Sequence, residues 1–249
     1  NNYDVPYTLT ESFVSVYRMH PLLRDDIEVY DIGSNVVQQR IPLPETRDGN
    51  AEDVLDGVGA DRMWYSFGIT HPGALVLENY PDFMRNLSMP LIGDIDMAAI
   101  DVLRDRERGV PRYNDLRRQL DMPPIDDFSD LTPDEDMVAK LREVYDNDVE
   151  KLDAVVGQLA EGYRPEGFGF SDTTFRIFTV MAPRRFQADR FYTNDFNERV
   201  YTPEGMDWPK KSKFLTVILK HTPELEDHLE LVGNPSLPWE PARNTHSRC

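Results

Sequence analysis

The sequence predicts a mainly α-helical protein, and three observations support that fold class. Apolar residues recur at helical spacing in several segments, strict apolar–polar alternation is scarce, and residues that start or stop helices flank the apolar runs. The 249 residues suffice for one large domain or a substantial part of one.

The first predicted helix lies in "TESFVSVYRMHPLL", residues 10–23. Thr10 is a suitable N-cap, and Pro21 ends regular helical hydrogen bonding or kinks the helix. Tyr17 and His20 therefore share one side of a helix. The residues at offsets 0, 3, 4 and 7 of that face are Phe13, Val16, Tyr17 and His20.

The middle of the chain alternates a loop with helical segments. Residues 40–61 are rich in Pro, Gly and acids and predict a surface loop. Residues 80–120 predict helix, which Gly109 and Pro111 interrupt. The apolar stripe of this segment comprises Ile95, Ala98, Ala99, Val102 and Leu103.

Two more helices and a tail complete the prediction. Thr132 precedes Glu135 by three residues, which is typical of a capping box at a helix start. A further helix is predicted from Ser171 to about Arg185, with a break at Pro183. Residues 233–249 form a Pro-rich polar tail that is mobile or wraps the surface.

Composition excludes several classes of protein. Lys+Arg of 27 against Asp+Glu of 45 gives a net charge of −18, so no nucleic-acid partner is expected. The single cysteine, Cys249, allows neither an internal disulfide nor a cysteine-based zinc site. Because neither a spanning apolar run nor a signal peptide is recognised, a cytoplasmic or peripheral-membrane location is predicted.

The pair Tyr17 and His20 has two interpretations. Neutral imidazole is a common ligand of haem iron, and a histidine on an apolar helix face suits that role. The alternative is a core histidine bonded to a backbone carbonyl beside a core aromatic residue. Spacing alone does not decide, because residues three apart on a helix are neighbours whatever their purpose.

The wider string "FVSVYRMHPLL" resembles the proximal-histidine helix of the animal-type haem peroxidase and cyclooxygenase superfamily. "RDRERGVPRYNDLRR", "LREVYDNDVEKLDAVVGQLAE" and "APRRFQADRFYTNDFN" follow in the order expected of that superfamily, and the strings look most similar to fatty-acid α-dioxygenases. The resemblance covers residues 3–208. It implies that residues 1–232 are the C-terminal part of a catalytic domain, lacking the distal haem helix.

The resemblance implies roles for four residues. His20 would ligate the iron of haem b, and Asp101 would accept a hydrogen bond from its other ring nitrogen. Arg104 would pair with a haem propionate. Tyr17 would carry a radical that abstracts hydrogen from substrate. The alternatives are a solvated acid for Asp101 and a surface arginine for Arg104.

For a fatty acid, the resemblance implies hydrogen abstraction at the carbon next to the carboxylate, followed by O₂ addition to give a 2-hydroperoxy acid. Arg185, with Arg184 as the alternative, would clamp the carboxylate, although Pro183 departs from the family pattern. An apolar channel or, alternatively, ordinary core would be formed by Phe168, Phe170, Phe175, Ile177, Phe178 and Val180.

Two other functions stay open at this stage. One is a peroxidase that oxidises small donors with H₂O₂, and the other is a non-enzymatic helical module without haem. The family's distal histidine is expected upstream of residue 1, so the missing N-terminal half of the domain would be a partner. The chain alone would supply only the proximal face of the haem pocket, so the isolated chain is not expected to be active by itself. His71 is therefore interpreted as structural, and the remaining histidines, His221, His228 and His246, as solvent-facing.

Overall fold

A computed structural model describes residues 9–89, 91–229, 232 and 234–239. The predicted fold class is confirmed, since helices dominate the described residues. The α-helices are α1 (Glu11–Val16), α2 (Asn50–Val58), α3 (Ala60–Ile69), α4 (Asp82–Arg85), α5 (Met97–Glu107), α6 (Tyr113–Gln119), α7 (Glu135–Val144), α8 (Ala154–Ala160), α9 (Asp172–Ala188), α10 (Glu198–Lys211, interrupted at Thr202), α11 (Phe214–His221) and α12 (Glu226–Leu229).

Two short antiparallel sheets accompany these helices. Strands β1 (Asp26–Tyr30) and β2 (Val37–Pro42) pair with Ile27 opposite Ile41, and a bulge follows Val29. Strands β3 (Leu87–Met89) and β4 (Gly93–Ile95) form a hairpin. The sequence did not predict either sheet, because strands of three to six residues carry too little alternation.

The chain divides into two compact units. The first contains the described parts of Asn1–Leu23 and Ala74–Asp195. Its apolar residues form two clusters, one around Tyr113 and Phe128, and the other around Phe13 and Ile177. Every predicted site residue belongs to this first unit.

The second unit contains the described parts of Arg24–Gly73 and Phe196–Cys249. Its largest cluster surrounds Tyr65 and Ile218, and it includes Trp239 from the predicted polar tail. Trp239 is buried, and its backbone N–H donates to the Gly68 carbonyl at 3.0 Å. The prediction of a surface tail is therefore wrong at this residue. Residues 240–249, including His246, lie outside the described residues.

Two local signals were interpreted correctly. The Thr10 side chain accepts a hydrogen bond from the Phe13 N–H at 3.2 Å and caps α1. Helix α5 ends at Glu107, and Gly109 follows with φ of 73°, a conformation that glycine adopts without a steric penalty.

The helix predicted to reach His20 is shorter than expected. Helix α1 ends at Val16, and a separate 3-10 turn spans His20–Leu22. The ring of Pro21 would clash with the Tyr17 carbonyl in a continuous helix, so the chain changes direction there. The helical argument that placed Tyr17 and His20 on one face consequently does not hold.

Other boundaries also differ from the prediction. The expected loop at 40–61 contains α2, and the expected helix at 80–120 is interrupted by the β3–β4 hairpin. Asp134, rather than Thr132, caps α7 by accepting from the Met137 N–H. Helix α9 continues through Pro183, because the freed carbonyl at position 179 belongs to an exposed residue.

Candidate functional site

Helix α5 buries acidic residues where the sequence predicted an apolar stripe. Asp101 and Asp105 are buried, whereas Leu103 is exposed and Ile95 lies in β4. The stripe prediction is therefore wrong. A buried carboxylate requires hydrogen-bond donors or cations, and α1 with its following turn supplies them.

Asp101 is the centre of this polar cluster. Its Oδ2 lies 2.8 Å from Nδ1 of His20 and also accepts a hydrogen bond from the Tyr80 hydroxyl at 2.8 Å. Its Oδ1 lies 3.1 Å from Nη1 of Arg18. The acceptor predicted for His20 is thus present, and because Asp101 has no exposed side-chain surface, water does not compete for these contacts.

The hydrogen bond to Asp101 leaves one histidine nitrogen unused. Nε2 of His20 has no hydrogen-bond partner among the described residues, and 22% of the side chain stays exposed. Burial, together with the hydrogen bond to Asp101 and its charge, raises the pKa of Tyr80. Tyr80 is therefore a neutral donor at physiological pH.

A second set of contacts joins α1 to α5. The Ser15 hydroxyl donates to Oδ2 of Asp105 at 2.7 Å inside the protein. Burial raises the pKa of Asp105, although the hydrogen bond from Ser15 and the charge of Arg18 oppose this shift. The buried face of α5 thus fixes the segment that ends at His20.

Arg104, predicted to meet a haem propionate, pairs with Glu11. Its Nη2 lies 3.1 Å from Oε2 of Glu11. Its Nε is buried and has no hydrogen-bond partner within the described part of the chain. A propionate contact would require Arg104 to share or exchange its contact with Glu11.

Tyr17 lies at the C-terminal end of α1. About half of its surface is exposed, and its ring packs edge-on against Phe13 with centroids 5.1 Å apart. Phe13 in turn stacks on Phe178 of α9 at 6.4 Å. The structure thus places α9, which carries the predicted arginines, beside α1, the helix that Tyr17 follows.

Arg184 and Arg185 are exposed on α9 and form no ion pair with the described residues. Arg185 follows Phe178 by seven residues and therefore shares its helix face, whereas Arg184 does not. This position favours Arg185 over Arg184 as the group nearer to α1.

The predicted channel residues divide into two groups. Ile177 is buried in the core, so it is not available to line a channel. The five other residues keep accessible surface. Among them, the Phe170 and Phe178 rings lie 5.8 Å apart, and the Phe168 and Phe175 rings 4.5 Å apart.

The remaining histidines differ from one another. His71 and His221 are exposed, but His228 is half-buried, and its ring packs edge-on against Tyr65 at 5.0 Å. The solvent-facing prediction is wrong for His228. Among the described residues, no group of three potential metal-ligating side chains is found, and no helix has the length and apolarity needed to cross a membrane.

Sequence reasoning missed Tyr80 and Arg18 as members of the cluster. Tyr80 precedes Pro81 in a loop, where no periodicity marks a buried hydroxyl. Arg18 lies in the string before His20, where nothing marks it as the partner of a buried acid. The local sequence contains no signal for either role, because Asp101 is more than twenty positions from both.

Within a helical scaffold, an imidazole that is supported by a buried carboxylate and keeps one nitrogen free is typical of histidines that bind a metal. The animal haem peroxidase family model matches residues 1–232, and the chain belongs to that family. The Arabidopsis thaliana alpha-dioxygenase 2 is 44% identical over an alignment of 241 residues that covers 91% of this chain and 38% of that protein. The chain therefore spans about two-fifths of the length of such relatives.

Solved structures give the same assignment. A Tyr-to-Phe variant of the Oryza sativa fatty acid alpha-dioxygenase, solved with palmitic acid, has a TM-score of 0.88 and 41% identity, covering 96% of this chain and 42% of that one. Peroxidase A from Dictyostelium discoideum has a TM-score of 0.70 and 25% identity, covering 88% and 43%. These likenesses extend beyond individual motifs to most of the chain.

Proposed function

We propose that the protein acts as a haem-dependent fatty-acid α-dioxygenase, in which His20 would hold the iron of haem b. The hydrogen bond between Nδ1 of His20 and buried Asp101 carries the proposal, because it fixes the tautomer that leaves Nε2 for the iron. Histidine ligands with such carboxylate support are typical of metal sites. A core histidine bonded to a backbone carbonyl, the simpler alternative, would not need this arrangement.

The residues around His20 fit a haem in two further respects. The imidazole keeps accessible surface, as a ligand must. The Nε of Arg104 has no hydrogen-bond partner among the described residues, so Arg104 would bind a propionate by sharing or exchanging its contact with Glu11. A haem bound there supplies the oxidising power that removes an electron and a proton from a phenol.

Tyr17 is the phenol proposed for this role. It lies three residues before His20, its side chain is half-exposed, and Phe13 supports its ring. A buried phenol with a carboxylate partner, such as Tyr80, is held as a donor, whereas Tyr17 has no such partner among the described residues. Tyr17 is thus the tyrosine of this region that can reach a substrate.

The chain's own residues would then handle the fatty acid. Arg185 would bind the carboxylate with two parallel hydrogen bonds, and the partly buried rings of Phe170 and Phe178 would contact the acyl chain. The Tyr17 radical takes a hydrogen atom from the carbon next to the carboxylate. O₂ adds to that carbon, and the peroxyl group takes hydrogen back from Tyr17, which yields a 2-hydroperoxy acid and restores the radical.

Oxygen uptake with palmitic acid, measured on a protein of the relatives' full length that contains this chain, tests this proposal. The Tyr17→Phe variant is expected to lose uptake while it keeps hemin binding and peroxidase turnover, because only the radical carrier is removed. Tyr163→Phe, which changes an exposed tyrosine elsewhere, is the matched control and should retain uptake. Arg185→Gln should raise the KM for palmitate more than Arg184→Gln does.

Each alternative function predicts a different result. A peroxidase that uses H₂O₂ would oxidise small donors without palmitate-dependent oxygen uptake in any variant. A helical module without haem would show no Soret band after addition of hemin. Equal uptake by the wild type and the Tyr17→Phe variant would exclude Tyr17 as the radical carrier.

A further inference from the structure

We propose that Tyr80 is a positioning residue for His20. Its hydrogen bond to Asp101 limits how strongly that carboxylate accepts the hydrogen bond from the imidazole. Both side chains donate to the same carboxylate oxygen, Oδ2, at 2.8 Å each. The proposal rests on the haem function proposed above, and it adds a residue that limits the basicity of the axial ligand.

The geometry makes this sharing unavoidable. Asp101 has no exposed side-chain surface, so its charge is distributed only among protein groups. Arg18 lies against the other oxygen, Oδ1, at 3.1 Å. Tyr80 and His20 therefore compete for one oxygen in a dry environment, where each hydrogen bond is electrostatically stronger than in water.

The loop that carries Tyr80 is fixed to the His20 turn. The side-chain amide of Asn79 donates to the Pro21 carbonyl at 3.0 Å and to the Ala74 carbonyl at 2.9 Å. The rings of His20 and Tyr80 lie 5.8 Å apart with an interplanar angle of 46°. Because the neighbour of Tyr80 is bonded to the neighbour of His20, the hydroxyl is held in place.

The sign of the effect follows from this arrangement. Without the Tyr80 hydroxyl, the N–H of His20 is the remaining donor to Oδ2, so this hydrogen bond strengthens. A stronger hydrogen bond to a carboxylate raises the basicity of the ligating imidazole. A more basic axial ligand favours ferric over ferrous iron and lowers the reduction potential.

The first experiment needs no haem. The Nδ1–H proton resonance of His20 is compared by NMR in the wild type, Tyr80→Phe and Tyr145→Phe. Tyr145 is the matched control, because its hydroxyl donates to another buried carboxylate, Asp153, at 3.0 Å. The resonance is expected to move downfield in Tyr80→Phe and to stay unchanged in Tyr145→Phe.

The second experiment uses the chain loaded with hemin. The ferric/ferrous midpoint potential of Tyr80→Phe is expected to fall, with a tenfold change in the equilibrium corresponding to about 59 mV. The iron–histidine stretching frequency of the ferrous form should rise. Tyr145→Phe should match the wild type in both measurements, since the Tyr145 hydroxyl donates to Asp153 and not to Asp101.

A third variant reverses the sign and protects the test against misfolding. Replacement of Tyr80 by 3-fluorotyrosine retains the ring and makes the hydroxyl a stronger donor. The His20 resonance should then move upfield and the potential should rise. Opposite shifts for the two Tyr80 substitutions are a result that a structural role alone does not produce.

The outcomes separate this inference from the haem proposal. An unmoved resonance and an unmoved potential in Tyr80→Phe would overturn the role of Tyr80 while the haem function stands. No Soret band from wild type and hemin would overturn the haem function, and the role of Tyr80 toward it would be lost with it. Equal shifts in Tyr145→Phe would also overturn the assignment.

Discussion

Two buried aspartates of the first unit, Asp101 and Asp153, have similar hydrogen-bond partners. Only the network around Asp101 ends on an atom that has no partner among the described residues. Asp153 accepts two hydrogen bonds from Arg106, at 2.9 and 2.6 Å, and one from the Tyr145 hydroxyl at 3.0 Å. Arg112 completes the set. Burial would raise the pKa of Asp153, but these partners outweigh it, and the pKa is lowered.

Asp101 receives an arginine and a tyrosine as well, but its remaining partner is a histidine. The other ring nitrogen of that histidine, Nε2, has no hydrogen-bond partner among the described residues. The comparison teaches that a closed carboxylate cluster serves packing. A cluster that ends on an imidazole nitrogen without a partner among the described residues is where we propose that a ligand binds.

The largest expected difference concerns stability. We expect Asp101→Ala to lower the free energy of unfolding by about 4 kcal/mol, because it leaves the buried cation of Arg18 unpaired. Asp153→Ala should cost less, about 2 kcal/mol, since Arg106 and Arg112 are partly exposed and can be hydrated. Urea denaturation measures both values, and the reverse order would contradict the comparison.

A double substitution sharpens that prediction. Adding Arg18→Met to Asp101→Ala should recover about 2 kcal/mol of the loss, because the stranded charge is then removed. If the double variant has a lower free energy of unfolding than Asp101→Ala, Arg18 stabilises the protein through contacts other than the one with Asp101. The same urea titration gives the result.

The packing near Asp153 should be sensitive to added volume. A Cβ atom at Gly157 of α8 would come within 2.2 Å of the Tyr113 ring, so Gly157→Ala should destabilise by about 2 kcal/mol. Gly57→Ala in α2 is the control, because nothing lies within 4 Å of its added Cβ. The control should gain stability by about 0.5–1 kcal/mol. Equal effects on thermal unfolding would contradict close packing at Gly157.

Asp105 and Asp153 should respond to pH with opposite signs. The pKa of Asp105 is raised from 3.8, so the folded state binds more protons, and its contribution weakens as pH rises through the raised pKa. The pKa of Asp153 is lowered, so its contribution is complete above 3.8 and is lost as pH falls through the lowered pKa. Urea titrations from pH 3 upward on Asp105→Asn and Asp153→Asn should each flatten one of these slopes.

The smallest effect is expected at the Arg104–Glu11 pair. Both side chains are about one-third exposed, so Arg104→Gln should change stability by about 0.5 kcal/mol. Its effect on hemin affinity should be larger if Arg104 binds a propionate. Unchanged hemin affinity would leave Arg104 with the contact to Glu11 alone.

Local signals in the sequence predicted part of this architecture. The Thr10 cap and the helix stop at Gly109 depend on one or two residues, and both appear in the structure. The contact of His20 with Asp101 was predicted from a family resemblance, since 81 positions separate the two residues. No periodicity in the sequence contains such long-range information.

The remaining features depend on tertiary context. The apolar pattern of α5 predicted the wrong buried face. The partners that compensate for the burial of Asp101 and Asp105 lie on α1 and the turn that follows it. Tyr80 gave no signal, since its role exists only when its loop meets Asp101. Short hairpin strands such as β3 and β4 are likewise fixed by pairing more than by composition.

A hemin titration tests the central claim most directly. The wild-type chain is expected to develop a Soret band, His20→Ala to lose it, and His71→Ala, which changes an exposed histidine, to match the wild type. Far-UV circular dichroism confirms that each variant is folded. An unchanged Soret band in folded His20→Ala would contradict the assignment of His20 as the axial ligand.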